Sequence, residues 1–283
     1  MRAHFSERFM RRSVRRSACP SGRRIRGGAG TRPCVSLRSR PMTKLNPMQR
    51  WFEAQWEQRD DVVYEGLFGT EGRRGVRSTP AYFRRFKGEP QHPGWLYHGV
   101  ISVPPQRGRA HWLHATSGLS NPWNLEAPGR DPSGHSGLGF ELCMATSDEA
   151  PWAVAMLHHL MAWQLLVATG SVKGSPMDRG QRIPLGGPVN GDAACKLTWA
   201  LCEEPPFAPS FELAAGKVDW LLLVGVTDAE VEFCRAIDRE YETLDGKGSA
   251  GQGRLVRMLG EQGIWPVTDP RRDSIAGLDP AKA

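Results

Sequence analysis

The stretch from Trp112 to Trp152 decides the fold: WLHATSGLSNPW (Trp112 to Trp123), then NLEAPGRDPSGH (Asn124 to His135), then SGLGFELCMATSDEAPW (Ser136 to Trp152). Both flanks alternate apolar and polar residues, the period of half-buried strands. The middle holds Pro, Gly and Asp and reads as a surface loop. Read alone, this is a hairpin-like core of an α+β domain.

Outward from it, the chain alternates strands and helices. An amphipathic helix is expected from Leu45 to about Tyr64, with Trp51, Phe52 and Ala54 to Trp56 on its apolar face. Glycines 66, 69, 72 and 75 follow as a flexible turn. They lack the strand-before and helix-after setting of a phosphate loop. Pro80 to Pro93 reads as irregular. Strands are expected at 94–103, 110–117 and 139–146, the first two as an antiparallel pair. Ser147 to Gly170 reads as the central helix, capped by Ser147 or Asp148, with Pro151 in its first turn and Gly170 at its end.

Residues 171–191 read as loop with a short strand at 181–185, and 195–202 as a strand. KVDWLLLVGV (Lys217 to Val226) is almost continuously apolar, so it should be buried on both faces at the sheet centre. Thr227 and Glu230 have capping-box spacing for a helix to about Leu244. A glycine linker (246–253), a short helix (254–262), a strand (264–267) and a loose end TDPRRDSI complete the chain. The expected class is α+β, with a central mixed or antiparallel sheet of five or more strands packed with helices.

Charge is unevenly spread over the 283 residues. Residues 1–41 hold twelve Arg, no Lys and one acid, leaving 25 basic and 29 acidic residues elsewhere. The expected division is a disordered Arg-rich tail (1–44, not necessarily translated natively), one domain (45–275) and a loose tail (276–283). The tail could serve as a nucleic-acid arm or a transit peptide. No apolar stretch follows the basic start, so no signal peptide is read, and Trp152 to Ala168 is too polar for a membrane span. Six scattered Cys without a CxxC pair suit free thiols in a reducing cytoplasm.

Several residue groups could carry chemistry. His111 and His114 point to opposite faces of a strand, and His158 and His159 diverge on a helix, so neither pair makes a metal site. Ser120, Asp131 and His135 could form a hydrolase triad, but no GxSxG elbow is present. Asp228, Glu230, Glu232, Asp238, Glu240, Glu242 and Asp245 make an acidic helix, either a solvated face or a docking face for a basic partner. Trp123 sits in a turn, as a partner anchor or as the base of the loop.

Five pieces then arrive in order between Asp61 and Ile275: WLHATSGLSNPW, DPSGHSGLGFELCMAT, PWAVAMLHHLMAW, KVDWLLLVGVTDAEVEF and IWPVTDPRRDSI. They resemble the Suppressor of fused domain. That resemblance implies an α+β, non-catalytic protein-binding module without cofactor or metal. It also implies a bacterial single-domain member acting in the cytoplasm as an immunity-type inhibitor that holds a toxin domain or extended peptide. The chain is expected to lack room for the second lobe of the animal proteins. Their partner-contacting aromatic and aspartate correspond to Trp123, where the pattern has Tyr, and to Asp131. Ser120 and Asn121 of the same turn are further candidates.

Overall fold

A computed structural model describes residues 46–106, 108–245 and 250–278. The expected Arg-rich tail, with Cys19 and Cys34, lies outside the described residues. So do residues 246–249 of the glycine linker and the side chains of Glu240, Glu242 and Asp245.

Helix α1 (Pro47–Glu57) starts two residues later than expected. Asn46 and Gln49 form a reciprocal capping box, each side chain accepting the other's main-chain N–H. The helix widens into a π-helical turn (Gln58–Val63) and continues as α2 (Tyr64–Phe68). The wider turn re-phases the side chains, so the sequence neighbours Arg59 and Asp60 are both buried. After β1 (Arg74–Arg77), the segment expected to be irregular contains the short helix α3 (Pro80–Arg84), with Pro80 in its first turn.

A 3-10 turn (Pro93–Tyr97) leads into β2 (Gly99–Val103), followed by β3 (Trp112–Ser117) and β4 (His135–Thr146). These four strands form an antiparallel meander, with Ala115 opposite Cys143 in the expected hairpin-like core. The central helix α4 spans Pro151–Ala168. Its expected caps serve elsewhere: Ser147 and Asp148 receive Arg271, and Ala150 occupies the capping position without a side-chain bond.

The second half adds β5 (Arg182–Pro184), β6 (Leu197–Glu203), β7 (Phe211–Leu213) and β8 (Gly216–Thr227). It ends with α5 (Asp228–Asp245), α6 (Ala250–Glu261) and β9 (Val267–Thr268). The sheet runs β1-β2-β3-β4-β8-β6-β5, with β7 on β8 and β9 on β4. Only the β4–β8 and β4–β9 pairings are parallel, so the sheet is mixed and the class is α+β.

β8 is central and buried on both sides, as its apolar run requires. Leu221 and Leu223 pack with Leu142, Met144, Leu157 and Leu166 under α4. Trp220, Leu222 and Val224 pack on the opposite face with Tyr64, Phe68 and Leu113. A third cluster joins α5 and α6 through Val231, Ile237, Leu255 and Leu259.

The Thr227–Glu230 capping box is present, with Glu230 accepting the Thr227 N–H at 2.9 Å. TDPRRDSI is not loose. Arg272 donates to Glu230, and Ile275 is buried in the third cluster. Among the described residues, no helix is long and apolar enough to cross a membrane.

Candidate functional site

The GLSN turn is built around a buried carboxylate. Glu141 lies in the middle of β4 with 0% exposure. Its Oε1 accepts the N–H groups of Gly118 (2.8 Å) and Ser120 (3.0 Å) and the Ser120 hydroxyl (2.6 Å). Its Oε2 accepts the Thr116 hydroxyl at 2.6 Å and the Leu119 N–H at 3.3 Å. A carboxylate so deep is tolerable only because every lone pair finds a donor. Two glycines make the wrap possible. At Gly118 a Cβ would stand 2.3 Å from the His98 ring, and at Gly137 it would meet the Leu119 carbonyl at 2.5 Å.

The π-helical turn supplies the counter-charge. Arg59 Nη1 lies 3.8 Å from Glu141 and donates to Ser120 Oγ (3.1 Å) and Asn121 Oδ1 (2.6 Å). Its Nε donates to Asp60 at 2.9 Å, and Asp60 also accepts the Ser117 hydroxyl at 3.0 Å. Burial opposes the Arg59 charge, but the Asp60 and Glu141 carboxylates outweigh it and hold the guanidinium protonated. Trp56 Nε1 completes the cluster, donating to Asn121 Oδ1 at 2.8 Å. The loop of residues 118–134 is thereby pinned to α1 and β4 at its base.

Beyond the base, Trp123 is half-buried. Its ring stacks on Phe52 at 5.1 Å and meets Trp56 at 6.2 Å and His92 at 5.3 Å. Its Nε1 donates to His98 Nε2 at 2.7 Å. Burial, reinforced by Arg59, His158 and His92, pushes His98 down to about 3, so the ring is neutral and free to accept. Half-buried Trp51, Phe52, Trp56, Tyr97 and Trp123 together form an aromatic face shared by α1, the 3-10 turn and the loop. At the far end, the Asp131 carboxylate accepts Ser133 N–H (2.9 Å) and Asn124 Nδ2 (3.3 Å). Burial would raise its pKa, but these bonds outweigh burial and hold it below the usual carboxylate value.

The four site candidates from the sequence therefore share one loop but not one role. Ser120 (0% exposed) and Asn121 (4%) hold its base from inside. Trp123 lies in the aromatic face, and buried Asp131 fixes the far turn. The imagined triad is not assembled. Ser120 Oγ is committed to Glu141 and Arg59, while His135 Nδ1 faces the Ser133 carbonyl. His114 is buried between Ser102 and Thr146, and His158 stacks on Tyr82 at 4.5 Å. Among the described residues, no three His, Cys, Asp or Glu side chains converge as metal ligands would.

The acidic helix is also partly internal. Buried Glu230 is held by Arg272 and buried Asp238 by Arg182 at 2.5 Å, while Asp228 stays exposed and accepts Trp199 Nε1 at 2.6 Å. Sequence reasoning missed Arg59, Asp60 and Glu141. The first two read as the polar face of a helix, and only the π turn brings them inside. Glu141 did leave a signal, as a lone charge within GFELCMAT.

The fold and the pinned loop define a mixed-sheet α+β domain whose most elaborate polar construction is scaffolding for one surface loop. Residues 94–273 match the family model described as Suppressor of fused protein (SUFU), and the chain belongs to that family. The fold is similar to that of the Sufu–Fu complex crystal structure, with TM-score 0.52 and 22% identity over 79% of this chain and 91% of that one. Drosophila Suppressor of Fused gives TM-score 0.46 and 23% identity over 62% of this chain and 42% of its own. A SUFU homologue from Neisseria gonorrhoeae gives TM-score 0.46 and 14% identity over 80% and 94%. No curated protein matches the sequence.

Proposed function

We propose that this chain is a non-catalytic protein-binding module that presents the loop of residues 122–131 and the aromatic face beside it to a protein partner. The observation that carries the reading is the half-buried cluster of Trp51, Phe52, Trp56, Tyr97 and Trp123 next to a loop locked from beneath. Large, stiff aromatics lose little entropy on binding and are the commonest energetic anchors of interfaces. The Glu141–Arg59 construction pre-organises the loop, which lowers the ordering cost of association. In this reading Trp123 is the anchor, while Ser120, Asn121 and Asp131 hold the loop in its binding shape.

The Sufu–Fu complex is a precedent for a related fold holding a protein partner. We further propose that the partner is a toxin domain or an extended peptide of one. The chain would act in the cytoplasm as a stoichiometric immunity-type inhibitor, with its thiols, including buried Cys143, Cys195, Cys202 and Cys234, unpaired. The test is to purify the tagged full chain from its native host and identify what accompanies it in stoichiometric amount. The captured polypeptide is then assayed with and without added chain. A toxic enzymatic activity silenced at one-to-one ratio supports the reading. A captured partner that binds a Trp51/Trp123 double alanine variant as tightly as the original chain refutes the proposed face.

A further inference from the structure

The main run of the sheet ends in β1 and β5, and these two differ in kind. β5 is three residues long, ends in Pro184, and has Arg182 tied to Asp238. A short strand with a proline is a guarded edge. β1 at the other end has no proline and carries Gly75 and Val76. Val76 is 44% exposed, one of two large hydrophobic side chains so exposed among the described residues.

The register fixes which main-chain groups face outward. Arg74 lies opposite Ser102 and Val76 opposite Val100, and Ser78 N–H donates to the His98 carbonyl at 2.8 Å. Antiparallel pairs alternate between bonded and non-bonded positions, so the even-numbered residues bond inward to β2. The N–H and C=O of Gly75 then point to the open side, with no side chain to shield them.

Charge adds a direction. Residues 72–88 contain Arg73, Arg74, Arg77, Arg84, Arg85 and Lys87 and no acid, on a chain whose residues beyond 41 are net acidic. Arg74 pairs with Glu149 at 2.6 Å, but both side chains are well exposed. Such a pair contributes little and yields readily to a competing carboxylate. Lys87, just past α3, is the one non-glycine residue with positive φ (56°) among the described residues. That conformation disfavours a side chain, yet a cation stands there. Arginines alone could be edge guards. An exposed valine and a glycine guard nothing.

We propose that β1 and its cationic corner are a second docking edge, separate from the loop face, which takes an acidic extended segment of a partner protein as an added strand. The main chain of that segment would bond to Gly75, an apolar side chain would cover Val76, and its carboxylates would meet Arg74 and Arg84, the latter paired in the free chain with Glu89 in an exposed contact at 3.2 Å. This proposal stands independently of the loop reading.

The probe is a fluorescein-labelled octapeptide of alternating Glu and Val, titrated into the full chain by anisotropy and followed by hydrogen exchange. The Arg-rich residues 1–41 are common to every variant, so differences between variants report the edge. The expected result is slower exchange at residues 74–77, with affinity reduced about tenfold by Val76→Glu and by Gly75→Pro. Val76→Glu alters only an exposed side chain and keeps the test readable should Gly75→Pro disturb the strand. Equal affinity for the original chain and both variants would overturn the proposal. So would a duplex DNA that protects residues 74–77 where the peptide does not.

Discussion

The Arg272 guanidinium closes on the Glu230 carboxylate, Nη1 donating to Oε1 at 2.6 Å and Nη2 to Oε2 at 2.9 Å. The contact joins the last described segment to the first turn of α5. Glu230 is fully buried there, and it also accepts the N–H groups of Thr227 and Ile275. Arg272→Ala would leave that charge without its counter-ion. A loss of about 3 kcal/mol in unfolding free energy is expected by urea denaturation. A loss under about 1 kcal/mol would mean that water replaces the arginine.

Glu141→Gln keeps the shape of the carboxylate but turns one acceptor into a donor facing other donors. It also removes a neighbouring negative charge from buried Arg59. The expected effect is a loss of about 2–4 kcal/mol in stability. Hydrogen exchange should quicken first at Gly118, Leu119 and Ser120, whose amides the carboxylate holds. Uniform quickening across the sheet would argue against a local lock.

Trp123 can be dissected with two substitutions. Trp123→Phe retains an aromatic ring against Phe52 and loses the bond to His98, with about 1 kcal/mol of stability expected to go with it. Trp123→Ala removes the ring as well, at about 2–3 kcal/mol for a half-buried aromatic. If Trp123 anchors the partner, titration calorimetry on the folded alanine variant should show affinity reduced more than about tenfold. Unchanged affinity would leave Trp123 as a support of the loop only.

Three buried histidines make stability depend on pH. Burial pushes His114 and His158 down from 6.5 to about 4, and His98 to about 3. The folded state therefore holds fewer protons than the unfolded chain below pH 6.5. Their contribution is fully present above pH 6.5 and is lost as pH falls towards about 4, with a limiting slope of about 1.4 kcal/mol per pH unit for each ring. Urea midpoints should fall between pH 6.5 and 4.5. His158→Phe, which keeps the stack on Tyr82, should flatten that fall by one residue's share.

Much of the fold was legible in the sequence. The β3–β4 pairing, the central place of β8 and the Thr227–Glu230 cap follow from period, apolar run and spacing, all of them local properties of a few residues. What failed depended on distant partners. Ser147 and Asp148 read as helix caps, but Arg271, more than a hundred residues later, takes them. TDPRRDSI read as loose because the residue that holds it, Glu230, belongs to another element. The acidic helix looked like one charged face, yet two of its acids, Glu230 and Asp238, are buried and committed inward.

The site divides in the same way. Sequence by itself determined the family resemblance and the loop, and singled out Trp123 and Asp131 as candidates, because those rest on residue type and order. Only the tertiary structure decided that Ser120 and Asn121 lie inside, that Arg59 and Glu141 meet beneath the loop, and that β1 is an open edge. The physical reason is that a buried charge is defined by what surrounds it. Arg59 and Glu141 are 82 positions apart, and no local pattern records that a π-helical turn and a strand will bring one charge to the other.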